Sequence, residues 1–261
     1  MNTPVTSLPL LRWQERVARA FSRAAPRYDA LASAQRDIGE TLWQTLPQSA
    51  QQVLDLGCGT GYWTQRLASH YPNATTTGLD LAPGMLAHAQ AQYGDAIRWQ
   101  QGDAAALPLD DASVDLVFSN LAIQWCPDIG AVMQELARVL APGGQARITT
   151  LLPGTLSEVA TAWQRPEALL QTPNAATVQR AIARSGLRLT HHVREQRRFF
   201  YPDLNAVMAS IKGVGAQVAR PNARLTRQAL ATAQVRYESL RTPQGLPVSY
   251  HCLTLQLESA R

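Results

Sequence analysis

Lysine is almost absent from this sequence: Lys212 is the only one among 24 basic residues, and all the others are arginine. Base composition of the source genome is the simplest origin of such a bias. Its consequence is that any basic surface is a guanidinium surface, suited to bidentate contacts with carboxylates or phosphates. Cysteine is scarce as well. Cys58, Cys126 and Cys252 are odd in number, far apart and without C-x-x-C spacing, which argues against a disulfide framework and a structural metal site and fits a reducing cytosol. No apolar run approaches the roughly 20 residues of a membrane-spanning helix, and no apolar leader core opens the chain. A cytoplasmic protein without membrane contact is the expectation. The pI of about 9.4 would permit nucleic-acid binding, but no basic stretch interleaved with aromatics supports it. With 46% hydrophobic and 16% charged residues over 261 positions, one large domain, or one domain with an insertion, is expected.

Apolar spacing predicts a helix over 12–25, with Trp13, Val17, Ala20, Phe21 and Ala24 on one face, ended by Pro26. A second helix over 31–46 stops at Pro47. Strand and helix signals then alternate: strands at 52–56, 74–79, 96–100, 114–119 and 146–151, helices at 60–70, 83–93 and 129–140, and a turn at Pro142-Gly143-Gly144. Such alternation implies βαβ units around a parallel sheet covered on both faces. Beyond residue 152, helices are predicted at 156–163, 177–185, 203–212 and 225–240. A strand lies within 187–201, and a closing strand follows from the alternation of Leu253, Leu255 and Leu257 with polar neighbours. The fold class is therefore α/β, a Rossmann-like seven-stranded, mostly parallel sheet with a helical cap inserted before the last strand. Residues 1–47 form helices over the ligand site, 48–152 the binding core, and 153–261 the remaining strands with the cap at about 203–240.

The sharpest motif is Asp55-Leu56-Gly57-Cys58-Gly59-Thr60-Gly61, which directly follows a predicted strand and precedes a helix. Glycines there let a ligand approach the backbone. Asp55, at the carboxyl edge of the sheet, suits a cationic ligand better than a pyrophosphate. Asp80 ends the second strand, where a carboxylate can accept ribose hydroxyls. Gly102-Asp103-Ala104 follows the third strand and Ser119-Asn120-Leu121 ends the fourth. Taken singly, Asp80 could equally be a helix cap and Asp103 a turn former; four polar strand ends in succession favour one ligand site.

VLDLGCGTG, LDLAPGML, GDAAALPL, VFSNLAIQW and the run to APGGQ resemble the class I methyltransferases that use S-adenosylmethionine (SAM). The resemblance covers about 50–150. It implies that Asp55, Gly57, Cys58, Gly59 and Gly61 meet the methionine part, Asp80 the ribose and Asp103 the adenine. Asn120 reaches the methionine end through its backbone, and Leu81, Met85, Ala104 and Leu121 complete the set.

The methyl acceptor is read outside that core. Phe21–Tyr28 (FSRAAPRY), Ser119–Cys126 (SNLAIQWC), Thr149–Thr155, Lys212–Ala216 (KGVGA), Leu225–Arg227 and Pro247–His251 (PVSYH) are similar to the malonyl-acyl-carrier-protein O-methyltransferases of biotin synthesis (BioC). The stretch Arg165–Pro173 departs from that pattern. The resemblance implies methyl transfer to a malonyl carboxylate. That nucleophile, with an ordinary pKa near 4, is already ionised at neutral pH, so no catalytic base is required; a dry, closed site and correct orientation do the rest. Tyr28, Gln124, Trp125, Lys212 and Tyr250 are the candidate acceptor and lid residues. Lys212 also has an ordinary helix-terminal role, as a cation in the last turn of 203–212. Arg12, Arg16, Arg19 and Arg23, with Arg194, Arg197 and Arg198, are candidates for docking an acidic carrier protein, against the simpler reading of a solvated face. The alternatives are a small-molecule or quinone-precursor C-methyltransferase, for which no base stands out, and a non-catalytic SAM-binding regulatory protein.

Overall fold

A computed structural model describes residues 8–215 and 227–261. Helices α1 (Leu8–Leu31) and α2 (Ser33–Trp43) precede β1 (Gln52–Leu56), α3 (Tyr62–His70), β2 (Thr75–Asp80), α4 (Pro83–Tyr93) and β3 (Arg98–Gln101). Then come β4 (Val114–Asn120), α5 (Ile129–Val139), β5 (Leu140–Leu151), α6 (Ser157–Trp163), α7 (Ala175–Ser185) and β6 (Arg188–Tyr201). The chain closes with α8 (Leu204–Lys212), α9 (Arg227–Glu238) and β7 (Leu246–Glu258). Among the described residues no helix is long and apolar enough to cross a membrane.

The strands form one seven-stranded sheet in the order β3-β2-β1-β4-β5-β7-β6. Neighbours are parallel from β3 to β5 and antiparallel at β5·β7 and β7·β6. Side chains on successive strand residues alternate between two apolar layers. Leu54, Leu56 and Val117 pack with Val132, Met133 and Leu136 of α5 and Val178 of α7. Val53, Leu116 and Phe118 face Trp63 and Leu67 of α3 and Leu42 of α2. The order reverses direction between β1 and β4, so the ends of β1, β2 and β4 open at a topological switch point, where ligands of open α/β sheets bind. Helices α8 and α9 stand between β6 and β7 in the chain, as expected of an inserted cap.

Two local expectations are corrected. Pro26 does not end α1, which continues to Leu31. Proline removes only the hydrogen bond to the Ser22 carbonyl, and Ala25 beside it is buried against Ala82 and Met85 at the start of α4. The turn at Pro142-Gly143-Gly144 is an irregularity inside β5: Leu140 already pairs with Val114 before pairing resumes at Gln145 opposite Leu116. Gly213 closes α8 in a right-handed conformation. It is glycine for room, since a Cβ would strike the Leu31 side chain and come within 2.6 Å of the Ala209 carbonyl. Ala216 of the KGVGA motif, Leu225 and Thr226 lie outside the described residues.

Candidate active site

The loop after β1 is built by three hydrogen bonds to β2. The amides of Gly57 and Cys58 donate to the Leu79 carbonyl at 2.7 and 3.0 Å, and the Gly59 amide donates to Asp80 Oδ2 at 2.8 Å. Both glycines take positive φ, +75° at Gly57 and +56° at Gly59, where an L side chain is strained. They differ in surroundings. A Cβ on Gly57 would run into Ala122, whereas nothing lies within 4 Å of a Cβ on Gly59. Gly59 thus opens onto free space at the strand ends, which a ligand can occupy.

Asp55, the penultimate residue of β1, is a buried carboxyl group that accepts from the Thr64 hydroxyl at 2.6 Å. Burial pushes its pKa up to about 7, and nearby Asp80 adds to the rise. A carboxylate so desolvated favours a cation beside it. Asp80 Oδ1 accepts from the Ala82 amide at 2.8 Å. Burial raises its pKa as well, partly offset by these amide donors. It does not cap α4, whose N-cap is Ala82. The Cys58 thiol, buried near Asp80 and Asp55, is held protonated; Met85 is fully buried, while Leu81 and Ala104 are half-buried.

Asp103 sits after β3 with both oxygens engaged: Oδ1 accepts from the Ala105 amide at 3.0 Å and Oδ2 from Gln14 Nε2 at 2.6 Å. Asn120 closes β4. Its side-chain Nδ2 donates to the Gln35 carbonyl at 2.9 Å and its Oδ1 accepts from the Thr149 hydroxyl at 2.6 Å. Leu121 follows with φ of +53°, a costly conformation for a branched residue and one that clusters at functional sites.

The other predicted site residues differ in their surroundings. Tyr28 lies close enough to Asp80, Asp29 and Asp55 for their charges to add to burial in raising its pKa. Tyr250 is buried, edge-on to Phe199 at 5.7 Å, with Tyr28 among its electrostatic neighbours. Gln124 is spent within the protein: Nε2 donates to the Leu121 carbonyl at 2.5 Å and Oε1 accepts from Thr150 at 3.3 Å. Trp125 accepts a hydrogen bond from Trp13 Nε1 at 3.0 Å on its carbonyl and meets Phe21 edge-on at 5.2 Å. Lys212 is exposed on the last turn of α8. In the α1 arginine stripe, Arg12 and Arg23 are exposed. Arg19 bonds Glu15, and Arg16 turns inward over the Trp13 ring at 5.3 Å. Arg197 pairs with Asp37 and Glu195.

Sequence reasoning missed how α1 is fastened. Trp13, Gln14, Ser22 and Asp29 each make one hydrogen bond to a different segment following β1–β4. Asp29 Oδ1 accepts from Thr60 at 2.6 Å, Ser22 Oγ accepts from the Gly84 amide at 3.0 Å, Gln14 holds Asp103, and Trp13 holds Trp125. Gln14, Ala18, Ser22, Ala25 and Asp29 are spaced by three or four residues, one stripe of the helix. Polar residues recurring in a stripe of alanines were the available signal.

Comparison with known proteins agrees with this architecture. A methyltransferase domain family model matches residues 53–144. The chain is 39% identical over 246 residues to a malonyl-[acyl-carrier protein] O-methyltransferase of Pectobacterium atrosepticum, covering 91% of this chain and 93% of that protein. It is 37% identical to the protein of the same name from Hahella chejuensis, covering 91% and 88%. It is also 40% identical over 252 residues to the biotin biosynthesis bifunctional protein BioHC of Cellvibrio japonicus, covering 94% of this chain but spanning only 50% of that longer protein. Among solved structures, a methyltransferase from Bacillus halodurans superposes with a TM-score of 0.62 at 15% identity, over 86% of this chain and 100% of its own. The geranyl diphosphate C-methyltransferase of Streptomyces coelicolor gives 0.62 at 14%, over 99% and 100%; these two share the fold. By its identity to full-length relatives over nine-tenths of its length, the chain belongs to the malonyl-[acyl-carrier protein] O-methyltransferase family.

Proposed function

We propose that this chain transfers a methyl group from SAM to the free carboxylate of a malonyl group carried on acyl carrier protein, an early step of biotin synthesis. The observation that carries the acceptor assignment is the reach of the likeness. The 246 residues aligned with the Pectobacterium protein extend well outside 53–144, into the flanks that hold Tyr28, Lys212 and Tyr250.

The site fits the donor on two counts. Asp55 is a buried carboxyl group held up to about 7, as expected where a cationic ammonium completes the environment. Gly59 leaves open the space a Cβ would narrow. Asp55 and the glycine loop would hold the methionine part, Asp80 the ribose, and Asp103 the adenine, with the Asn120 and Leu121 backbone toward the methionine end. When bound, SAM supplies an electrophilic methyl group on a sulfonium.

The chain's own contribution is to hold and exclude. The acceptor carboxylate is ionised at neutral pH, so no side chain need remove a proton. Tyr28, half-buried, and Tyr250, buried, both with raised pKa values, stay neutral and donate hydrogen bonds without competing for the methyl group. Helix α1 closes over the strand ends and keeps water out, which favours a reaction that neutralises charge. Helices α1 and α2 act as the cover and α8 and α9 as the acceptor-facing cap. Arg12 and Arg23 offer exposed charge to an acidic carrier protein. Mass spectrometry of malonyl-acyl carrier protein after incubation with the chain and SAM tests the assignment. A gain of one methyl group, abolished when the malonyl carboxylate is replaced by a methyl in the acceptor, is expected; no gain would overturn it.

A further inference from the structure

We infer that Gln14 of α1 is a positioning residue that sets the selectivity of the cofactor site for adenine, acting through Asp103. This rests on the reading of 48–152 as a SAM site. A carboxylate has about four lone-pair directions on two oxygens. At Asp103 one direction on each oxygen is taken, Oδ1 by the Ala105 amide two residues along its own turn and Oδ2 by Gln14 Nε2 from a separate helix, 89 residues away in sequence. Two donors from two different elements fix the plane of the carboxylate, where the turn alone would leave it free to swing about its side-chain torsion. The remaining lone pairs then point in a fixed direction. An acceptor-only group fixed in this way prefers a partner that donates, such as the exocyclic amino group of adenine, and repels one that accepts, such as the 6-oxo group of hypoxanthine.

Gln14 is itself held. Its neighbour Trp13 donates to the Trp125 carbonyl at 3.0 Å and stacks on the Trp125 ring at 6.5 Å. Eight residues on, Ser22 receives the Gly84 amide. Gly84 permits this close approach, since a Cβ there would lie 2.8 Å from the Ser22 Cα. The carboxamide is thus presented from a helix fastened on both sides of it. Loss of its donor frees Asp103 without disturbing the carboxylate's charge or the loop that carries it.

The test compares binding of S-adenosylhomocysteine with that of S-inosylhomocysteine, its 6-oxo counterpart, by calorimetry on the full chain. The natural sequence should prefer the adenosyl ligand by at least about tenfold, the worth of one charge-assisted hydrogen bond. Gln14→Met, which keeps length and removes the donor, should lower that preference by about threefold or more, with the ligand-free melting temperature nearly unchanged. Gln14→Asn, which keeps a carboxamide but shortens its reach, should do the same. In an Asp103→Asn background neither change should alter the preference further, because the residue through which Gln14 acts is already altered. Equal weakening of both ligands, or an unchanged preference in either single variant, would overturn the role of Gln14. Failure of the unsubstituted chain to bind S-adenosylhomocysteine would instead overturn the reading of the cofactor site.

Discussion

Thr64, in the first turn of α3, donates its hydroxyl to the buried Asp55 at 2.6 Å, so the helix that follows the glycine loop also holds the acid that precedes it. This bond favours the ionised carboxylate, yet burial outweighs it and lifts the pKa from 3.8 to about 7. The folded protein therefore keeps a proton on Asp55 that the unfolded chain has lost, and stability from this group falls as pH rises from about 4 to about 7. A cationic ligand prefers the ionised form, so SAM affinity should rise over pH 6 to 7.5 and then level, with proton release on binding. Titration calorimetry in buffers of different ionisation enthalpy measures that proton. In Asp55→Asn both the pH dependence and the proton release should vanish; their persistence would remove Asp55 from the ligand site.

The two glycines of the loop should fail differently. Gly57→Ala forces a methyl group into Ala122 and should destabilise the fold by about 2–3 kcal/mol through overpacking and positive φ, visible as a lowered melting temperature. Gly59→Ala meets free space, so only the φ cost of about 1 kcal/mol applies, while SAM binding should weaken by at least about tenfold.

Asp29 ties the end of α1 to the glycine loop through Thr60. Asp29→Ala should weaken SAM binding by about 1–2 kcal/mol, the worth of a hydrogen bond to a charged group, and speed amide hydrogen exchange in α1. An unchanged exchange pattern would show that α1 does not depend on this bond.

Arg12 and Arg23 are exposed on α1. Reversing both to glutamate should reduce activity on malonyl-acyl carrier protein several-fold more than on malonyl-coenzyme A, and raised salt should narrow that difference. Equal loss on both substrates would count against a docking face.

Lys212 is exposed on the last turn of α8. If it holds an anionic part of the acceptor, Lys212→Met raises the acceptor KM without shifting SAM affinity. An unchanged KM in a folded variant would leave it a helix-terminal cation.

The alternation of apolar strands with amphipathic helices from 52 to 151 made the core legible in the sequence, because each element's period reflects which sides it buries. The four polar strand ends were legible from position: Asp55 and Asn120 lie at the ends of the apolar strands β1 and β4, while Asp80 ends the threonine-rich β2 and Asp103 follows the polar β3. The extent of α1 was not. Pro26 carries a stop signal of its own, and tertiary contacts on both sides of it, Ala25 against Ala82 and Met85 and Asp29 to Thr60, hold the helix past it. Gln124 was legible as part of a motif but not as a side chain whose both ends are used inside the protein.

By itself the sequence determined the order of elements, the glycine loop and the set of acids around it, since these depend on local period and on residues adjacent in the chain. Tertiary structure alone decided which groups are paired and which are poised. The bonds Gln14–Asp103, Ser22–Gly84 and Asp29–Thr60 span 89, 62 and 31 residues. No local pattern encodes such separations; they arise only when the sheet has brought the ends of β1–β4 together and α1 has been laid across them.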